Sequence, residues 1–161
     1  MTMVGVQREM KLIAHRANVN GPNPLTENHP DSVDSAISMG FDVEIDLRMI
    51  NSKFYLGHDE PQYEIPLQWL FDRVDDLWIH CKNLKCLKHL NSSYLDLNYF
   101  WHQTDDFTLT SKNYIWTYPG KEITTDSIAV MPETSISLDN FFALSKWNCF
   151  GICSDYVGLI R

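Results

Sequence analysis

Short β-rich runs recur along the chain, with brief stretches of helical periodicity between some of them. Residues 11–14 read as a first strand and 41–49 as a second; across a turn at Asn51-Ser52, residues 53–56 read as an extended arm. Runs of the same character follow at 77–81, 94–101, 114–118, 127–131 and 149–152. Helical spacing places Val33, Ala36 and Ile37 on one side of residues 31–39, and Gly40 stands where a helix stop is expected. Pro66 suits the first turn of a second helix with Leu67, Leu70, Phe71 and Val74 on one face. Asn83 caps a third carrying Leu84, Leu87 and Leu90, and Leu138, Phe141, Phe142 and Leu144 mark a fourth. Alternating strands and helices predict a parallel sheet covered by helices. No repeat or linker divides the 161 residues, so residues 1–161 read as one domain. An ordinary (β/α)8 barrel takes roughly 200 residues or more. Periodicity alone leaves a shortened barrel and a small open α/β sheet equally open.

The polar residues inside these runs change the picture. In the second strand Val43, Ile45 and Leu47 share one face, while Glu44 and Asp46 share the other. Two carboxylates on one face of a buried strand repel each other and lose hydration, and a divalent cation resolves both problems. An edge strand with one wet face explains the same alternation. The pattern recurs at His80 and Lys82, and again at Asp96 and Asn98. Polar ends converging from several parallel strands are where such sheets place their chemistry. His15-Arg16 and His58-Asp59 stand at strand ends; two imidazoles can supply a base and an acid, and Arg16 a fork for phosphate oxygens.

Composition bounds these readings. The hydrophobic fraction is 44%, with 5 Trp, 7 Tyr and 8 Phe, which is the make-up of a packed domain. A net charge of -8 argues against long nucleic acid as a partner, although a bound cation can invert the field inside a pocket. The opening residues are too short an apolar run for a signal peptide, and no stretch reaches the roughly 18 apolar residues of a transmembrane segment. Cys81, Cys86, Cys149 and Cys153 form no C-x-x-C pair and read as reduced core thiols, so a cytoplasmic location is expected.

The order of these motifs resembles the glycerophosphodiester phosphodiesterase family, within the wider phosphatidylinositol-phospholipase-C-like barrels. The similarity runs through Leu12-Ile13-Ala14-His15-Arg16, Thr26-Glu27-Asn28, Gly40-Phe41-Asp42-Val43-Glu44-Ile45-Asp46 and Gly57-His58-Asp59. Weaker matches follow at Ile115-Trp116-Thr117-Tyr118 and Cys153-Ser154-Asp155-Tyr156. The resemblance implies an abbreviated (β/α)8 TIM-type barrel with several crossover helices shortened or missing. It implies metal-dependent hydrolysis of a small phosphodiester, with His15 and His58 as the general acid/base pair. It further implies that Glu44, Asp46 and Glu27 hold the metal, and that Arg16, Lys82 and Trp116 meet the phosphate and substrate. His80 stands where the family carries a metal carboxylate. One divalent cation is implied, Mg²⁺ or Ca²⁺ from the carboxylates, with Mn²⁺ or Zn²⁺ favoured to the extent that the imidazole ligates. A degenerate barrel that binds a phosphorylated ligand without cleaving it is the alternative. Apolar strand surface left bare by missing helices would favour a homodimer.

Overall fold

The computed structural model describes residues 8–94 and 96–160; the first residues of the chain and Leu95, inside one expected strand, lie outside them. In chain order the elements are β1 (Lys11–His15), α1 (Pro30–Ser38), β2 (Asp42–Ile50), β3 (Lys53–Leu56), β4 (Tyr63–Ile65), α2 (Leu67–Phe71), β5 (Leu77–Cys81) and α3 (Leu84–Ser93). The second half adds β6 (Tyr99–Phe100), β7 (Phe107–Leu109), β8 (Ile115–Thr117), β9 (Ser127–Val130) and β10 (Gly151–Ser154). Short 3₁₀ segments cover Pro132–Thr134, Leu138–Lys146 and Val157–Leu159.

The ten strands form one mixed sheet curled into a half-barrel. Its parallel arc runs β6-β5-β2-β1-β10-β9-β8, and the antiparallel strands β3, β4 and β7 extend it at the sides. This overturns the expected (β/α)8 barrel: the fold is mostly sheet. The reason lies in the connections. Nine residues, 118–126, join β8 to β9 without a helix, and the link from β9 to β10 holds only 3₁₀ turns before the strand. β6 and β8 are not paired with each other; β7 hangs antiparallel on β8, and just past it the Ser111 amide bonds across to the Tyr99 carbonyl of β6 (2.8 Å).

Several local predictions survive. Asn51 and Ser52 both take positive φ (49° and 64°), the backbone of a tight hairpin turn that matches strand twist, and they join β2 to β3 as expected. The Asn83 side chain accepts from the Cys86 amide and starts α3. Gly40 (φ 87°) ends α1. The expected strand over 94–101 shrinks to β6, with Asp96 exposed in a turn and Asn98 buried just before the strand, so those two do not form a strand-face pair. The fourth expected helix is the 3₁₀ segment Leu138–Lys146. β4 and β7 are too short to stand out as alternating runs.

Strand alternation divides the core in two. Val43, Ile45, Leu47, Leu77, Ile79, Cys81 and Ile152 point to the convex face, where α1 contributes Val33 and Ala36, α3 contributes Cys86 and Leu90, and the long 3₁₀ segment contributes Phe141 and Leu144. Ile13, Trp78, Phe100, Trp116, Ile128, Phe150 and Cys153 fill the concave side. Below that apolar layer, Asp42 is held by Lys11 (3.0 Å) and the Trp78 indole N–H (3.0 Å). Above it, at the C-terminal strand ends, the concave face turns polar. No helix among the described residues is long and apolar enough to cross a membrane.

Candidate metal and phosphate site

Parallel register assembles the site. His15 on β1 lies opposite Glu44 on β2, and Asp46 lies opposite His80 on β5. Because Glu44 and Asp46 are two residues apart on one strand, both carboxylates enter the same pocket from its floor, each only 1% exposed. His80 Nδ1 is 3.6 Å from Glu44 Oε1 and 3.5 Å from Asp46 Oδ1. Its other nitrogen, Nε2, donates to the His102 carbonyl oxygen at 2.8 Å. A carbonyl only accepts, so Nε2 carries a proton; Nδ1 then donates toward the two carboxylates when the ring is protonated and offers them a lone pair when it is neutral. The ring is further fixed by stacking on Phe100, 5.1 Å between centroids.

Ligand atoms of Glu44, Asp46 and His80 all lie within 4.8 Å of one another. Asp46 Oδ1 is buried without a hydrogen-bond partner. An unpaired, buried carboxylate oxygen carries a large desolvation cost. It faces His80 Nδ1, 3.5 Å away, which offers a lone pair to a bound cation when the ring is neutral. Two hard oxygens and one imidazole nitrogen fit a divalent cation, and the mixed donor set suits Mn²⁺ or Zn²⁺ as well as Mg²⁺.

Cationic groups flank these ligands. Arg16 Nε is 3.3 Å from Asp46 Oδ2 but lacks hydrogen-bond alignment, while its Nη1 donates to Glu27 Oε2 at 3.4 Å. Lys82 Nζ is 3.8 Å from Asp46 Oδ1. The Arg16 amide donates to Glu44 Oε2 (3.1 Å). Burial alone would raise the Glu44 pKa, but the His80 hydrogen bond and the charges of His15, His80 and Arg16 outweigh it and hold it down to about 2. Asp46 goes the other way: burial and the adjacent Glu44 charge raise it, against the pull of Arg16 and His80. One neighbour thus suppresses the ionisation of the other.

His15 is anchored from behind. Its Nδ1 donates to Asp155 Oδ1 at 2.8 Å, which leaves Nε2 facing the pocket, 3.9 Å from Glu44 Oε2. Burial would lower its pKa, yet Asp155 and Glu44 together raise it. Asp155 is itself fixed: Asn18 Nδ2 donates to Oδ1 (2.8 Å), and the Asp155 amide donates to Glu133 Oε1 (2.9 Å). Asn28 clasps Asp46 twice, donating Nδ2 to Oδ2 (2.9 Å) and accepting the Asp46 amide at Oδ1 (2.9 Å).

The expected site residues therefore separate into groups. Glu44, Asp46 and His80 converge, with His15, Arg16 and Lys82 beside them. Glu27 is turned toward Arg16 and Asn18, one charged layer away from the three ligand groups. Trp116 is 3% exposed and packs on Phe100 (4.5 Å) behind His80, so it fills the core and does not face the opening. His58 sits on the rim, its Nδ1 donating to exposed Asp59 at 2.8 Å. The Gly57 amide ties that loop to the Asp46 carbonyl (3.0 Å), and Arg48 binds the Gly57 and His58 carbonyls. The His58 hydrogen bond and charge hold the Asp59 carboxyl below its ordinary pKa, with smaller help from Arg16 and Lys82. Asn18, Asn28, Asp155 and the His102 carbonyl are supports that sequence reading did not assign. Asn28 and Asp155 had a local signal, the first as the neighbour of Glu27 in its motif and the second within Cys153-Ser154-Asp155-Tyr156.

The turn leaving β1 is strained. Arg16 (φ 52°) and Ala17 (φ 69°) both take left-handed backbone, and Asn18 N–H closes onto the His15 carbonyl at 2.9 Å. The turn aims the Arg16 amide at Glu44. Replacing Ala17 by Gly is expected to raise stability by about 0.5–1 kcal/mol, the left-handed penalty less glycine's extra chain entropy. Chemical denaturation of the two proteins measures this; a lower midpoint for A17G would show that the turn carries no strain.

No family model, curated protein or solved structure matches the chain.

Proposed function

We propose that this protein is a metal-dependent phosphodiesterase acting on a small glycerophosphodiester-like substrate. The observation that carries the reading is the buried, unpartnered Asp46 Oδ1 between Glu44 and the His80 Nδ1, ringed by Arg16, Lys82 and His15. Glu44, Asp46 and His80 would hold a divalent cation, which when bound would supply positive charge for the non-bridging phosphate oxygens. Arg16 and Lys82 bind and orient the same oxygens; each now leans on Asp46. A nucleophilic oxygen bonds to phosphorus as the bond to the leaving alkoxide breaks. One imidazole accepts the nucleophile's proton and the other protonates the alkoxide. His15 exchanges its proton through Nε2, because Nδ1 is committed to Asp155. The motif order shared with glycerophosphodiester phosphodiesterases supports the same reaction class.

The position of His58 favours a second reading, binding of a phosphorylated ligand without turnover. Among the described residues its side chain meets only exposed Asp59, so the second proton-transfer group is less organised than the first. Hydrolysis of glycerophosphocholine and of a chromogenic phosphodiester, measured across Mg²⁺, Ca²⁺, Mn²⁺ and Zn²⁺, separates the two. The expected result is metal-dependent turnover that is lost in both H15A and H58A. A folded protein that binds metal and phosphate but turns over nothing with any ion would establish the binding reading.

A further inference from the structure

β2 runs on past its two carboxylates. Glu44, Asp46 and Arg48 are spaced two apart on one strand, so they share the inner face, and Arg48 stands one step nearer the opening than Asp46. Its guanidinium meets the main chain that follows β3. Nε donates to the Gly57 carbonyl at 3.2 Å and Nη2 to the His58 carbonyl. The Gly57 amide donates in turn to the Asp46 carbonyl at 3.0 Å. Successive carbonyls point opposite ways along an extended strand, yet these two turn to one fork. Gly57 permits it: its φ is 147°, and a Cβ there would stand 2.0 Å from the Glu60 carbonyl oxygen. The His58 ring donates from Nδ1 to Asp59 (2.8 Å), which leaves Nε2 for proton exchange. The side chain of His58 is loosely held; its main chain is not.

We propose that Arg48 is the positioning residue for His58, fastening the second imidazole to the strand that carries Glu44 and Asp46; this rests on the phosphodiesterase reading above. The bonds from Arg48 and from the Gly57 amide tie residues 57 and 58 to β2, so His58 and the two carboxylates keep one spacing. A planar guanidinium donates to two carbonyls at once, whereas a shorter ammonium without the fork satisfies one of them well. Two aligned carbonyls deprived of their donor repel each other and turn toward water, and the imidazole beside them moves too. A misplacement of about 1 Å costs on the order of 10² in rate. Arg48 is committed to the two carbonyls and takes no part in holding phosphate, so the loss falls on kcat rather than KM.

Kinetics of Arg48→Met and Arg48→Lys test this, with hydrogen exchange of the Gly57 amide and proton NMR of the His58 ring, identified by its loss in H58A, as readouts independent of turnover. The expected result in R48M is a kcat about 10–10²-fold lower at unchanged KM. Its Gly57 amide should exchange about tenfold faster and its His58 resonance should move, while that of His15 stays in place. R48K should lie between R48M and wild type, and it carries the test if R48M does not fold. Full kcat in a folded R48M overturns the proposal. So does a slower R48M whose Gly57 exchange and His58 resonance are those of wild type, or one in which His15 moves as far as His58. A wild type that turns over nothing overturns the phosphodiesterase reading instead, and the Gly57 exchange rate in R48M still decides whether Arg48 fastens the loop.

Discussion

Replacing Asp46 by Asn is expected to abolish tight metal binding and lower phosphodiester turnover by about 10²–10³-fold, while leaving the metal-free protein at least as stable as wild type. The two effects have opposite signs for one reason. Burial and the Glu44 charge raise the Asp46 pKa, so in the absence of a cation its ionised form opposes folding. A carboxyl whose folded pKa lies above the unfolded value binds protons more tightly when folded; stability therefore falls as pH rises through that window. Asn removes the charge, and its carbonyl still accepts from Asn28, so the clasp on β2 keeps a partner. The same change removes a ligand oxygen. Titration calorimetry with Mn²⁺ and thermal unfolding, each done with and without the ion, read both effects. A D46N protein that binds Mn²⁺ as tightly as wild type would remove Asp46 from the ligand set. One that is much less stable without metal would mean that the Arg16 and Lys82 contacts outweigh the repulsion from Glu44.

The second large effect is expected at Asp155, which positions His15 without itself facing the opening. Asp155→Asn should reduce turnover by about 10²–10⁴-fold, the range associated with a misdirected acid/base group, and change KM little. An Asn amide can turn its nitrogen toward His15 and favour the wrong tautomer, and it removes the charge that raises the His15 pKa. Proton NMR of the imidazole should therefore show His15 titrating at lower pH in D155N. Lost activity with an unmoved His15 titration would assign the Asp155 carboxylate a merely structural part in holding Asn18.

Much of the site could be read from local pattern. The alternation from Asp42 to Leu47 placed Glu44 and Asp46 on one face, and β5 put His80 and Lys82 there by the same period. What closes around them could not be read. Asp155 meets His15 across 140 positions, and the His102 carbonyl that sets the His80 tautomer is a main-chain atom with no sequence signature. Trp116 shares the concave face with His80, but alternation gives a face and not a depth, and one ring of Phe100 separates it from the opening. The fold was misjudged for a related reason. Strand periodicity does not reveal whether the next strand returns by a helix or a turn, and three-residue strands such as β4 and β7 carry too little pattern to announce an antiparallel edge.

The pairing of β1 with β10 has a consequence for the order in which the molecule can be made. His15 is made 140 residues before its aspartate partner. Until β10 arrives, one side of β1 has no neighbour, and the turn at Arg16-Ala17 rests only on Glu27, Asn28, Glu44 and Asp46. A nascent chain can pair β1 with β2 and β2 with β5, and so gather Glu44, Asp46 and His80. It cannot yet orient His15. If the site takes a cation as proposed, ion capture would be available to the growing polypeptide well before proton transfer, and a cation acquired at that stage would favour the half-built sheet over its unfolded alternatives.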